Sequence, residues 1–361
     1  MKNNYVFIMA GGIGSRFWPS SRQAKPKQFL DILGVGRTLI QMTFDRFTKV
    51  CPIDHIYIVT NIQYKDIVLE QLPELSEQQV LTEPSRNNTA PCICYAALKL
   101  KGMDPDANFV VAPSDHIVVK EDAFVEHINY GLSLVAHQDI LLTLGIEPHN
   151  PNTGYGYIHY DKSASNDEKK VLSFKEKPDI ETAKGFLESG EYLWNGGIFV
   201  WNVNSLLRAF SDYSPEILNI LQKGASDFNT PNEQSFLNTY YPTTPDISID
   251  YAIMEKADNI YTLPINVGWS DIGTWASLHD FMDKDDHSNA IGSLHSDQVD
   301  LVDTSGCMIR NQGKKLTVIH GLSDYIVVDE KDVLLIYPKS KEQAIKKLRN
   351  KVADNWGDDY Q

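Results

Sequence analysis

The chain has 361 residues, 42% of them hydrophobic and 22% charged, with 48 acidic against 33 basic side chains and a formal net charge of −15. This describes an ordinary globular protein able to bury a sizeable core in one large and one small domain, with no signature of disorder. The acidic balance excludes a broad surface for nucleic acid or anionic lipid, since both repel it unless cations are gathered in one place, and no apolar run reaches membrane-spanning length.

The first short run, Tyr5 to Ala10, is too brief for a signal-peptide core and has no small-residue cleavage pattern behind it. Cys51, Cys92, Cys94 and Cys307 form neither CxxC pairs nor an even framework. They read as reduced, partly buried thiols, which points to the cytoplasm.

YVFIM (5–9) predicts a strand, and it runs into MAGGIGSRFWPSSRQAKPKQFL (9–30), which packs three glycines and four basic residues with no acidic one. A glycine turn after a first strand brings backbone N–H groups up to phosphate oxygens, where a side chain would hold the ligand off. Phe17 stands where the third glycine of the dinucleotide fingerprint belongs, and no Lys-Ser or Lys-Thr pair follows for a Walker loop. Arg16, Arg22, Lys25 and Lys27 remain, the charge a polyphosphate requires, with Phe17, Trp18 and Phe29 as anchors; the bland alternative is a solvated basic loop.

Ile40, Phe44 and Phe47, at i, i+4 and i+7, predict a helix before the strand IYIVT (56–60). TAPCICYAALKL predicts a second, with proline near its start, before the strand NFVVA (108–112), and ILLTLGI (140–146) is a further strand. Such alternation predicts βαβ units and a largely parallel sheet, whose ligands gather at the carboxyl ends of strands. Those ends carry Gly11, Gly12 and Gly14; Ser114, Asp115 and His116; Glu176, Lys177 and Pro178 after VLSFK; and a WNGG segment leading into GIFVW. His116 has no second His or Cys at ligand spacing, which excludes zinc. After about residue 285 a polar stretch gives way to short strand-like runs at roughly even spacing and then a charged helix, KEQAIKKLRNKVAD; the period predicts a small stacked β region.

GGIGSRFWPSSRQAKPKQF closely resembles the signature of the sugar-nucleotide pyrophosphorylases, and its Trp-Pro-x-Ser-Arg and Pro-Lys-Gln-Phe elements look like the mannose-1-phosphate guanylyltransferase branch. EPSRNNTAP (83–91), APSDH (112–116), NTGYGYI (152–158), FKEKP (174–178), WNGGIFVW (194–201), SIDYAIMEK (248–256) and VGWSDIGTW (267–275) follow in the family's order, so the likeness covers about the first 280 residues. It implies an α/β fold with a Rossmann-like, mixed but mostly parallel sheet over 1–285. A small left-handed β-helix-like domain with a terminal helix, commonly used for dimer contacts, is implied over 286–361. The chain ends without room for the isomerase domain of bifunctional relatives, so a monofunctional homodimer is expected.

The reaction implied is transfer of GMP from GTP to α-D-mannose 1-phosphate, giving GDP-mannose and pyrophosphate by direct displacement without a covalent intermediate. A phosphate oxygen attacks the α-phosphorus; with a second pKa of about 6 that nucleophile is already ionised and needs no general base. Catalysis then consists of aligning two anions and neutralising charge. By resemblance Arg16, Lys27, Asp115 and Asp271 are catalytic, and the two aspartates hold Mg2+, which takes one or two carboxylates together with substrate phosphates. Gly11, Gly12, Gly14, Glu83, Asn88 and Ala90 belong to the nucleotide, and Gly154, Glu176, Lys177 and Asn195 to the sugar phosphate. Each aspartate alone also reads as a turn or capping residue, and Gly154 and Gly156 as plain hairpin glycines. One departure stands out: Asn87 occupies the position of the family's arginine, and Arg86 lies one place earlier. A sister enzyme with another sugar phosphate or base, and a non-catalytic relative that keeps the fold, are the alternatives.

Overall fold

The computed structural model describes residues 3–292 and 296–361. It falls into two compact units, each assembled from separate stretches of chain. The first takes residues 3–11, Phe44–Pro113 and Val118–Trp269; the second takes Gly12–Thr43, Ser114–Ile117 and Ser270–Gln361.

The first unit is built on a nine-stranded sheet. β1 (Asn4–Met9), β2 (Ile56–Asn61) and β4 (Asn108–Pro113) are largely apolar runs, and with the shorter β3 (Val80–Glu83) they are buried along most of their length, as parallel strands covered on both faces must be. They pair in parallel in the order β3-β2-β1-β4. β5 (Leu141–Ile146), β6 (Tyr157–Tyr160), β7 (Lys169–Lys175), β8 (Tyr192–Asn202) and β9 (Ile260–Ile265) extend the sheet beyond β4 as β8-β5-β9-β7-β6. β7 and β8 run against the other strands, so the sheet is mixed and mostly parallel, as expected.

WNGG lies inside β8 rather than ahead of it. Opposite Thr143 and Gly145 the register slips, so that Gly196, Gly197 and Ile198 bulge out of the ladder, with Gly197 at φ 63°. Bulges of this kind re-aim neighbouring side chains and recur beside active sites. The TAPCICYAALKL pattern forms α1 (Thr89–Met103), apolar on nearly every side and buried in the main core with Phe109, Trp201, Phe210 and Tyr241. An apolar circumference is the mark of a helix with no solvent face.

In the second unit the strand-like runs stack as coils. β10 (Ala290–Ile291), β12 (Met308–Asn311) and β14 (Tyr325–Asp329) pair in parallel, as do β11 (Val299–Val302) and β13 (Thr317–His320), and every pairing joins residues 18 apart. Left-handed corners repeat at the same interval, at Ser288, Gly306 and Asp324, with φ of 63°, 63° and 60°. β15 (Leu334–Pro338) closes the stack antiparallel to β14. The charged segment forms α2 (Ile345–Trp356), one turn later than its pattern predicts because Lys339–Ala344 winds as a 3₁₀ segment. Phe17, Trp18, Leu30, Trp275, Met308, Val328 and Ile345 share the core of this unit.

Candidate active site

The residues expected to meet the triphosphate belong to the second unit, apart from Gly11, which ends the first stretch of the first unit. Gly14 adopts φ 63°, and a Cβ placed on it would stand 2.4 Å from the Lys27 Cβ, so both its conformation and its surroundings require glycine. Ser21 Oγ donates to the Ile13 carbonyl at 2.6 Å and Gln28 Nε2 to that of Gly12 at 2.9 Å, which ties the loop to its own chain. Phe17 is buried against Trp275, with ring centroids 4.8 Å apart, and anchors the short helix Ser15–Phe17.

Lys27 is buried, and its ammonium is fully engaged. Nζ donates to Asp115 Oδ2 at 3.0 Å, to the Asp115 carbonyl at 3.3 Å and to the Asp271 carbonyl at 2.6 Å, and lies 5.5 Å from the centre of the Phe17 ring. Burial works against ionisation of Asp115, but the opposed charges of Lys27 and His116 outweigh it and hold the carboxyl below its usual range. Asp271 Oδ1 accepts from Gly273 N at 3.1 Å, and a Cβ on Gly273 would lie 2.9 Å from Asp271 Oδ2 and 3.3 Å from Arg16 Nη2. Arg16 and Lys27 from one motif, and Asp115 and Asp271 from two distant stretches, therefore converge. Asp115 and Asp271 supply the two carboxylates that could hold Mg2+, an ion that takes one or two carboxylates together with substrate phosphates. Among the described residues no cluster of three or more His, Cys, Asp or Glu forms a preformed metal cage.

The residues expected at the base lie in the first unit. Glu83 ends β3, and a Cβ on Gly11 would lie 4.0 Å from its Oε2. Burial pushes the Glu83 carboxyl up to about 7, against hydrogen bonds from the Tyr241 hydroxyl and the Cys92 thiol that favour the ionised form. Asn88, at φ 66°, caps α1 by accepting from Thr89 N at 3.0 Å, and the Ala90 amide donates to the Ile247 carbonyl at 3.1 Å. Asn87 is buried and donates to the Thr244 carbonyl at 2.7 Å and its hydroxyl at 3.1 Å, while Arg86 stays exposed, with Nη2 3.0 Å from the Tyr64 hydroxyl. At the position of the family's arginine, Asn87 thus braces the 241–244 turn.

The sugar-phosphate candidates Glu176, Lys177 and Asn195 also belong to the first unit. Lys177 sits at φ 42° directly after Glu176, and its ammonium donates to Glu176 Oε1 at 2.6 Å. Gly156 leaves the space Glu176 occupies, since a Cβ there would stand 2.5 Å from Glu176 Oε2. Gly154 lies in an exposed turn in which its amide donates to Asn152 Oδ1 at 2.7 Å. Asn195 accepts from Gly197 N at 3.1 Å and donates to Asp250 Oδ1 at 2.7 Å. Burial and the neighbouring Glu176 push Asp250 up to about 6. Asp250 is the residue that sequence reasoning missed; it stands in the SIDYAIMEK motif, but nothing in the spacing ties it to Asn195.

Residues 5–288 match the nucleotidyl transferase family model, and 297–352 match the MannoseP isomerase/GMP-like beta-helix domain. Mannose-1-phosphate guanylyltransferases of Escherichia coli and Salmonella montevideo are 34% and 37% identical, over 95% and 96% of this chain and 72% and 73% of their own lengths. The chain belongs to the mannose-1-phosphate guanylyltransferase family. It is thus a nucleotidyltransferase by descent, and its fold agrees: a crystal structure from Thermus thermophilus, described as a mannose-1-phosphate geranyltransferase, superposes with a TM-score of 0.87 at 26% identity, covering 97% of this chain and 99% of that one. A Helicobacter pylori protein described as a mannose-6-phosphate isomerase superposes with a TM-score of 0.61, also at 26% identity, over 74% of this chain and 99% of its own. Within the family's α/β and β-helix plan, no helix among the described residues is long and apolar enough to cross a membrane.

Proposed function

We propose that the chain transfers GMP from GTP to α-D-mannose 1-phosphate. A phosphate oxygen of the sugar phosphate attacks the α-phosphorus of GTP, the bond from that phosphorus to the β-bridging oxygen breaks, and pyrophosphate leaves with the electron pair. GDP-mannose retains the anomeric configuration, because C1 of the sugar is never attacked. The observation that carries this reading is Lys27, buried against Asp115 and Asp271 behind a glycine loop. With its N–H donors resting on protein oxygens, Lys27 acts through its nearby positive charge rather than through a free donor, neutralising charge as pyrophosphate departs. Gly11, Gly12 and Gly14 let backbone donors approach the phosphates, and Arg16 adds a second cation. Glu83, Asn88 and Ala90 serve the base; Gly154, Glu176, Asn195 and Lys177 serve the mannose 1-phosphate.

Asp115 and Asp271 are the residues that would hold Mg2+, which when bound supplies charge neutralisation on the phosphates. The cytoplasm and a homodimer complete the reading. Four buried free thiols suit a reducing compartment, and exposed Val302, Val318, Leu334 and Ile336 on the C-terminal strands suit a second copy.

Pyrophosphate release from each of the four NTPs against a panel of sugar 1-phosphates tests the assignment. GTP with mannose 1-phosphate should be clearly the best pair; equal rates with UTP and glucose 1-phosphate would overturn it.

A further inference from the structure

Arg22 belongs to the cationic run after the glycine turn, yet its guanidinium has almost nothing left to offer a phosphate. Nη1 and Nη2 grip the Asp332 carboxylate at 2.7 and 2.6 Å, Nη1 also donates to the Asp359 carbonyl at 3.1 Å, and Nε donates to the Pro19 carbonyl at 3.1 Å. Those four bonds use all but one of the group's five N–H donors. The planar fork that suits phosphate is here closed on protein.

Its neighbours are held from the same direction. Trp18 Nε1 donates to the Tyr360 carbonyl at 2.6 Å, and Gln23 donates to Gln361 twice, backbone to backbone at 3.0 Å and side chain to side chain at 2.6 Å. Ser20 Oγ donates to the Glu330 carboxylate. A stretch at the end of the described chain therefore grips residues 18–23, more than three hundred positions earlier. The grip continues inward, because Ser21, in the middle of the held segment, donates to the Ile13 carbonyl, and Lys27 meets Gly14 side by side.

Glycines at 11, 12 and 14 leave this loop little intrinsic stiffness of its own, and amides that are to receive phosphate must be in place beforehand. We propose that residues 358–361, together with Glu330 and Asp332, form a strap that holds the glycine-rich loop in its catalytic shape, and that Trp18, Arg22 and Gln23 are positioning residues. Carbonyl and carboxylate acceptors on the strap match donors on the loop that would otherwise lose their partners. The catalytic consequence rests on the proposed GTP chemistry; the structural one does not.

The experiment compares the full chain with a variant lacking residues 358–361 and with Arg22→Gln, by amide hydrogen exchange and by steady-state kinetics with GTP, mannose 1-phosphate and Mg2+. In the shortened variant, exchange should rise at residues 12–23 while the strands of the first unit keep their protection. Its kcat should fall by up to roughly a hundred-fold, the scale of a misplacement of about 1 Å, with KM for mannose 1-phosphate within about two-fold. Arg22→Gln should show the same pattern more weakly, which keeps the test open should the shortened chain fold poorly. Unchanged exchange at 12–23 in both variants would overturn the strap. So would raised exchange with undiminished kcat, since the loop's shape would then not matter to turnover. Were the full chain inactive with this substrate pair, the GTP reading would fall, and the exchange data alone would still decide the strap.

Discussion

Lys27 Nζ stands 3.0 Å from Asp115 Oδ2, a buried cation against a carboxylate that burial alone would tend to neutralise. Lys177, by contrast, is exposed and turned onto its neighbour Glu176 at 2.6 Å. The two lysines should therefore fail differently. Lys27→Ala removes an interaction that strengthens as charge develops and should chiefly lower kcat, whereas Lys177→Ala should chiefly raise KM for mannose 1-phosphate. One charge-assisted phosphate contact is worth about 1.5 to 3 kcal/mol, so each effect should reach roughly ten-fold to a hundred-fold. Kinetics with each substrate varied in turn check this, and one pattern shared by both variants would mean the lysines serve a single phosphate.

Asp271 carries a second prediction. Its Oδ1 accepts from Gly273 N at 3.1 Å, a bond that asparagine can keep, so Asp271→Asn should fold normally. It loses the negative charge that a divalent ion held there would need, and turnover should drop by orders of magnitude at every Mg2+ concentration. A Mg2+ titration of kcat decides it; near-wild-type turnover would remove Asp271 from the metal site.

Glu83 predicts a pH dependence of stability. Its folded-state pKa, about 7, lies above the ordinary 4.5, so the native state binds this proton more tightly than the unfolded chain does. The stability it contributes is fully present below about 4.5 and is lost as pH rises through about 7. The size of that loss is on the order of 3 kcal/mol. Glu83→Gln abolishes the titration. Denaturant unfolding of both proteins between pH 5 and 8 should show the variant gaining on the wild type as pH rises, and parallel curves would mean that Glu83 does not titrate in this window.

Much of this arrangement is legible in the sequence because it is local. A glycine turn after an apolar run, alternating strand and helix patterns and even spacing of short strands each follow from neighbours in sequence, and so β1, β2, β4, β5 and α1 lie where their runs predict. The rest depends on pairings across long separations. Asp250, at the start of the π-helical segment Asp250–Met254, meets Asn195 of β8 across 55 positions of chain, and the bulge that puts WNGG inside β8 depends on its register against β5. Arg22 reads as a phosphate ligand in the sequence because its partner, Asp332, lies 310 positions away. Charge within a motif is visible in sequence; whether that charge is already neutralised is not.

Gly12 and Gly14, two positions apart, should respond oppositely to alanine. Gly12 has no atom within 4 Å of where a Cβ would stand, and its φ lies outside the left-handed region, so Gly12→Ala should fold as well as the wild type or slightly better, through a less flexible unfolded chain. The added methyl projects into space that the loop keeps open, and where that space admits phosphate it should raise KM for GTP. Gly14 is the opposite case: φ is 63°, and a Cβ would fall 2.4 Å from the Lys27 Cβ, so Gly14→Ala must both strain the backbone and push Lys27. Left-handed strain alone costs about 1 to 2 kcal/mol, and the clash adds to it. Gly14→Ala should therefore lower Tm and, by displacing Lys27 from Asp115, lower kcat. Thermal unfolding and GTP kinetics of the two variants, measured side by side, check the contrast: equal losses of Tm would mean that the loop has no fixed shape at Gly14, and an unchanged KM for GTP in Gly12→Ala would mean that the phosphates approach elsewhere.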